Sequence, residues 1–266
     1  MALICHVLET YGFLPLETPS VEFASTLLGK YGEEEKLIYQ FEDKGGRKLA
    51  LRYDLTVPLA RFVANNLELL KPTFSRYQIG QVFRGEKPQK GRYRELTQFD
   101  FDTIGSFDPK EDAKVVAAAL VSVKKLGLSN SKMMINDRAN FSELRTDEVR
   151  LIDKIHKIGR DKTPKKLLDI VDNLKPTVNL QTVFKYLTNE YGLKENEDFV
   201  FDPSLARGLD YYTGLIMELK PNGMPNELSV GGGGRYDDLI GIFANRKIPA
   251  VGFSFGLDRL VEFFKA

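Results

Sequence analysis

Residues 94–105, RELTQFDFDTIG, repeat with a period of two. That is the period of an extended strand, in which successive side chains point to opposite faces. Glu95, Thr97, Phe99, Phe101 and Thr103 fall on one face, and the two phenylalanines suit a core or a helix-covered surface. Arg94, Leu96, Gln98, Asp100, Asp102 and Ile104 fall on the other. Three adjacent polar groups on that face cannot be plain core; they must meet water, a cation or a ligand. The chain is thereby committed to a sheet with one apolar face and one face built for something charged.

The segment before it, RYQIGQVFR at 76–84, is also strand-like, and a loop of roughly ten residues joins the two, longer than most hairpin connections. That loop and its flanks carry Arg84, Lys87, Lys90, Arg92 and Arg94. Cations above an acid-lined sheet suit a ligand bearing both charges, such as a phosphate and an amine. Taken alone, the same residues also describe an exposed, salt-bridged hairpin.

Global charge does not choose between these readings. Lys plus Arg number 38 and Asp plus Glu 37, so an anionic partner must be held by local clusters. Cys5 is the single cysteine, which excludes an internal disulfide and a thiolate zinc site. His6 and His156 lie far apart, against a histidine metal site or a Ser-His triad. No apolar run of membrane-spanning length and no signal-peptide pattern is found, so a cytoplasmic location is expected.

Along the chain, a short helix at the start gives way near Gly12 to a strand-like segment around Pro15 and Pro19. A hairpin is expected with strands 36–42 and 47–53 about a turn at 43–46, then a helix over 55–66 with Pro58 in its first turn. Residues 108–128 read as a helix with an acidic first turn, and KMMIND as a strand. From 138 to 196 glycine becomes rare and apolar residues take helical spacing, which reads as a helical insertion. Strands with Gly-rich turns follow, and the last strand runs into a helix. The fold class is α+β, a mixed and mainly antiparallel sheet flanked by helices.

Three later segments carry candidate chemistry. LARGLDYYTG (205–214) sets Arg207, Asp210 and two phenols beside glycines, a wall for a ring-bearing ligand or an ordinary strand edge. GGGGRYDD (231–238) lets backbone approach a ligand closely, or is a flexible turn; no phosphate-loop lysine follows it. GFSFGLDRL (252–260) leads a strand into a helix bearing Arg259, a residue type that alone would read as surface.

In this order the segments resemble the class II aminoacyl-tRNA synthetase catalytic core, and within it the histidyl-tRNA synthetase family. ETPSVEF resembles the end of motif 1, FRGEKPQKGRYRELTQFDF motif 2, and GFSFGLDRL motif 3. RGLDYYTG and GGGRYD resemble the histidine-specific signatures, and LRYDLTVPLAR the substrate-binding segment. The resemblance implies a catalytic core over 1–137 and 197–266, with 138–196 as the insertion domain. It also implies that histidine is activated with ATP and then passed to tRNA(His).

By that resemblance Arg84 holds the α-phosphate and the histidine carboxylate, Arg259 the γ-phosphate, and Glu86 the adenine edge. Arg92 helps hold the triphosphate, and Arg207 bears on the α-phosphate and the amino acid. Asp54, Thr56 and Gln98 receive the α-ammonium. Asp102 and Tyr212 bracket the imidazole, and Tyr236 completes that pocket. Asp54 and Asp102 stand where many relatives carry glutamate. Mg²⁺ is implied with ATP, a homodimer through motif 1, and contact with the tRNA acceptor end, to which the basic stretch at 157–166 adds a candidate surface. The resemblance ends after the motif 3 helix, without the family's C-terminal anticodon-binding domain, so impaired tRNA charging is expected. The rival is a histidine-sensing paralogue resembling the regulatory subunit of ATP phosphoribosyltransferase; an uncharged-tRNA-sensing domain is a third class. Asp100 receives no role.

Overall fold

The computed structural model describes residues 1–87, 93–206, 211–222 and 228–264. Helix α1 (Ala2–Thr10) stops where Gly12 takes a positive φ of 82°. Strands β1 (Leu14–Pro15) and β2 (Val21–Phe23) and the single turn α2 (Ala24–Leu27) follow. β3 (Gln40–Glu42) and β4 (Lys48–Leu51) form the expected hairpin and join β2 in a small sheet of order β2-β4-β3. Asp43 makes its turn: Oδ1 accepts from the N–H groups of Gly45 and Arg47, each at 2.9 Å.

The strand expected over 36–42 is shorter than the sequence predicts. Residues Gly32–Leu37 wind into a 3-10 helix, and extension begins only at Gln40. Two of its glutamates are held by local donors: Glu34 accepts from the Tyr53 hydroxyl at 2.9 Å, and Glu35 from the Gly29 N–H at 2.5 Å. These bonds favour a wound segment over the extended one expected from the sequence.

Helix α3 (Thr56–Asn65) carries Pro58 in its first turn, where no intrahelical donor is lost. β5 (Phe74–Phe83) and β6 (Glu95–Ile104) then pair antiparallel along their whole length. Helix α4 (Pro109–Lys125) is capped by Asp108, whose side chain accepts from the Lys110 N–H. β7 (Lys132–Asp137) leads into a helical stretch of α5 (Thr146–Asp153), α6 (Ile155–Ile158), α7 (Lys165–Asn173) and α8 (Val178–Asn189). After it come β8 (Phe199–Phe201), β9 (Leu215–Lys220), β10 (Gly231–Arg235), α9 (Gly241–Ala244), β11 (Ala250–Gly256) and α10 (Leu257–Phe263).

The main sheet runs β1-β5-β6-β11-β10-β9-β7-β8. It is antiparallel except where β1 meets β5 and β7 meets β8. Its two faces serve different ends. On one, Phe99 and Phe101 of β6 and Phe253 and Phe255 of β11 are buried with residues of α1, α4 and α8. The rings of Phe101 and Phe253 lie 5.6 Å apart, within the range of favourable aromatic pairs. On the other, Ile104, Met134, Ile216 and Tyr236 share a second core with α2, α3 and α5–α7. The helical block is thus divided, α8 lying with the first core and α5–α7 with the second.

The acidic first turn of α4 proves to be more than a helix-dipole device. Asp112 is wholly buried and takes a bidentate grip from Arg235 at the end of β10, at 3.0 and 2.7 Å. Arg235 also reaches Asp237 at 3.1 Å and the Ser106 carbonyl at 3.0 Å. Burial raises the Asp112 pKa to about 6 against the pull of Arg235. Removing one partner of such a pair leaves the other charge buried and uncompensated. Arg235→Ala is therefore expected to lower the free energy of unfolding by about 3–5 kcal/mol, read from urea denaturation. A loss below about 1 kcal/mol, the scale of an exposed pair, would contradict this account.

Candidate active site

The polar face of β6 forms the floor of the site, and sheet register decides what stands beside each group. Asp102 lies between Arg76 of β5 and Gly252 of β11, and Gly234 of β10 stands beyond Gly252. In the next row Asp100 lies between Gln78 and Ser254, with Gly232 beyond. Gln98 lies between Gly80 and Gly256. The glycines are spatial requirements. A Cβ on Gly252 would sit 1.8 Å from Oδ1 of Asp102, and one on Gly234 would sit 2.7 Å from the Tyr212 ring.

Asp102 and Arg76 are both buried and form an ion pair at 2.8 Å. Oδ1 of Asp102 also accepts from the Tyr236 hydroxyl at 2.5 Å. Burial pushes the Asp102 pKa up, while the Arg76 charge and the tyrosine hydrogen bond pull it back toward the ionised form. An ionised carboxylate offers about four lone-pair sites, so these partners leave capacity for a ligand donor.

Asp54 precedes α3 and accepts from the N–H groups of Thr56 and Val57 at 3.1 and 3.0 Å. The Tyr31 hydroxyl donates to it at 2.9 Å and the Tyr211 hydroxyl at 3.5 Å. Burial raises its pKa, opposed by the hydrogen bonds from Val57, Tyr31 and Thr56 and by the Arg84 charge. Arg84 sits over the Tyr53 ring, its Cζ 4.5 Å from the centroid. It donates to the Tyr53 carbonyl at 3.2 Å and, more weakly, to Oε1 of Gln98 at 3.4 Å.

These groups bound two adjoining cavities. Asp54, Thr56, Gln98, Asp102, Tyr212 and Tyr236 line the first, together with Asp100, Tyr211 and Arg84. Arg84, Glu86, Tyr93, Gln98, Asp258 and Arg259 are among the residues lining the second. Arg84, Gln98, Gly232 and Ser254 belong to both. The first cavity has an acidic, aromatic floor suited to a cationic ring-bearing ligand. The second is lined by two cations, Arg84 and Arg259, suited to a polyphosphate. Thr97 N–H donates to Asp258 at 2.7 Å, tying the start of α10 to β6 beside Arg259. Arg92 and Arg207, also named from the sequence, lie outside the described residues.

The sequence did not single out Arg76, Tyr31, Tyr53, Tyr211 or Ser254. Tyr211 was readable, standing beside Tyr212 in the same signature. Arg76 was not, because its place opposite Asp102 depends on a hairpin register that a ten-residue loop does not dictate.

Comparison with known proteins shows what the chain is similar to. The family model described as Histidyl-tRNA synthetase matches residues 1–195 and 139–260. The histidine–tRNA ligase of Aeropyrum pernix is 43% identical over 296 aligned positions, covering 97% of this chain and 68% of that protein. The histidine–tRNA ligase of Treponema denticola is 38% identical, covering 98% and 68%. Among solved structures, histidyl-tRNA synthetase from Nostoc sp. PCC 7120 superposes with a TM-score of 0.83 at 29% identity, over 98% of this chain and 69% of that one. A Bacillus halodurans protein titled ATP phosphoribosyltransferase regulatory subunit/histidyl-tRNA synthetase gives a TM-score of 0.76 at 23% identity, a likeness of fold alone. The chain spans about two thirds of the length of the curated relatives. Carrying the two-cavity site on a mixed α+β sheet of class II type, the chain belongs to the histidyl-tRNA synthetase family.

Proposed function

We propose that the chain works as a histidine–tRNA ligase core, with histidine in the first cavity and ATP in the second. The observation that carries this reading is the sharing of Arg84 by both cavities. Activation joins a carboxylate to an α-phosphate, so a cation reaching both sites serves both reactants. A histidine oxygen attacks the α-phosphorus, the bond to the β-phosphate oxygen breaks, and pyrophosphate leaves. A ribose hydroxyl of the tRNA end then attacks the histidyl carbonyl and AMP leaves. No covalent enzyme intermediate is required, so alignment and charge stabilisation dominate.

Within this proposal Asp54, Thr56 and Gln98 take the α-ammonium. Asp102 accepts from one imidazole nitrogen, held by Arg76 and Tyr236, and Tyr212 serves the other side of the ring. Arg259 and Glu86 take the far phosphate and the adenine edge, and Arg92 and Arg207 act on the phosphates from segments outside those described. Among the described residues no group of three His, Cys, Asp or Glu side chains could cage a metal. A nucleotide-borne Mg²⁺, which keeps phosphate and water ligands, would need few protein oxygens, with Asp258 beside Arg259 as the nearby hard oxygen. Bound there it would neutralise charge on the departing pyrophosphate.

A homodimer, the insertion at 138–196 facing the acceptor end of tRNA(His), and a cytoplasmic location complete the proposal. Among the described residues no helix is long and apolar enough to cross a membrane. A sensing paralogue would need the histidine cavity alone; the adjoining cavity with Arg84 and Arg259 favours activation.

Histidine-dependent ATP–pyrophosphate exchange tests the reading directly. Exchange that needs histidine and is not supported by other amino acids is expected; histidine binding without exchange would favour the sensor. Asp102→Asn is expected to weaken histidine binding about tenfold or more, the loss of a charged hydrogen bond, with ATP binding changed less. Equal losses by titration calorimetry would contradict its assignment. Gly252→Ala forces a methyl into the Asp102 carboxylate and is expected to show the same selective loss. Unaltered histidine affinity in that variant would show that the carboxylate has room the structure does not give it.

A further inference from the structure

A cation that serves two anions must be held in place without being neutralised first. Among the described residues Arg84 makes no ion pair. Its hydrogen-bond acceptors are the Tyr53 carbonyl at 3.2 Å and Oε1 of Gln98 at 3.4 Å, both neutral. Bonds at the long end of the range are a weak hold on a side chain with so much rotamer freedom. The remaining contact is aromatic: the guanidinium carbon stands over the Tyr53 ring, 4.5 Å from its centroid. A ring face attracts a cation and leaves its charge available. A carboxylate in the same place would form an ion pair that an incoming phosphate or carboxylate would have to displace.

Tyr53 is fixed from behind. It is buried, and its hydroxyl donates at 2.9 Å to Glu34 in the 3-10 helix Gly32–Leu37. Its ring packs against that of Tyr31, with centroids 4.9 Å apart, and the Tyr31 hydroxyl donates to Asp54 at 2.9 Å. The same 3-10 helix reaches the backbone beside Arg84, where the Leu37 carbonyl accepts from the Gly85 N–H at 2.7 Å. A Cβ on Gly85 would sit 3.2 Å from that oxygen. One short helix therefore sets both the ring and the chain that carries the arginine.

We propose that Tyr53 is a positioning residue for the activation step. Its ring, held by Glu34, aligns Arg84 across the two cavities without neutralising it. This rests on the reading of the first cavity as the histidine site, with the histidine carboxylate on Arg84. Tyr53 acts through Arg84 and needs no contact with a reacting atom.

Histidinol separates alignment of Arg84 from damage to the cavity. It keeps the ammonium and the imidazole of histidine and lacks the carboxylate. Wild type, Tyr53→Leu, Tyr53→Phe and Glu34→Ala are titrated with both compounds by calorimetry, and pyrophosphate exchange gives kcat and KM. Tyr53→Leu is expected to weaken histidine about tenfold, the scale of a partly desolvated cation–π contact, with histidinol within about twofold. The kcat of exchange should fall and the ATP KM should rise with it, because Arg84 lines both cavities. Tyr53→Phe keeps the ring and should recover most of these losses. Glu34 lines neither cavity, and Glu34→Ala should give a smaller loss, about threefold, again for histidine and not histidinol. That variant carries the test if the thermal midpoint shows Tyr53→Leu to be unfolded. Equal losses for histidine and histidinol, unchanged histidine affinity in Tyr53→Leu, or a Tyr53→Phe as impaired as Tyr53→Leu would overturn the proposal. Wild-type protein that binds neither compound would overturn the reading of the cavity itself, and this proposal with it.

Discussion

The site depends on holding carboxylates where water cannot reach them. Asp102 is nine-tenths buried or more on the floor of the first cavity, and an ion taken that far from water costs several kcal/mol even after relaxation. Arg76, equally buried one strand away, offsets that cost at 2.8 Å. Such a pair is weak support for stability, since apolar replacements of the same volume often do as well. Its value lies in what it presents: a charged acceptor already aimed, in a low-dielectric pocket where it binds a donor more strongly than in water.

Much of the surrounding architecture follows from making room for that acceptor. Gly252 and Gly234 stand in the same cross-strand row because a Cβ at either would strike Asp102 or Tyr212. Tyr236 reaches Asp102 from the end of β10, whose position is pinned from behind by Arg235 on Asp112. The opposite face of the same strands gains the phenylalanine cluster against α1, α4 and α8. The two-residue period of β6 thus links stability on one face to recognition on the other.

Which parts of this were legible before the structure follows from how local each cause is. The Phe-Asp alternation, the helix beginning at Asp108-Pro109 and the turn at 43–46 are set by neighbours within a few residues, and they appear as read. The shortened β3 was not legible, because the bonds that wind Gly32–Leu37 come partly from Tyr53, well along the chain. The roles of Arg76 and Ser254 depend on register across strands that are distant in sequence, and a motif reading supplies no register. Asp112, taken as a dipole partner, was a buried ion-pair acceptor for the same reason.

On the proposed function, Arg76 pulls Asp102 toward its ionised form and that carboxylate receives histidine. The most direct measurement is histidine affinity against pH in the wild-type protein and in Arg76→Met. Loss of the cation removes the main force opposing burial, so the Asp102 pKa should rise further and its carboxyl be more protonated near neutral pH. Arg76→Met is expected to bind histidine more weakly than wild type at pH 7 and to recover as the pH is raised. Equal affinity at pH 7, or a deficit that does not change with pH, would contradict it.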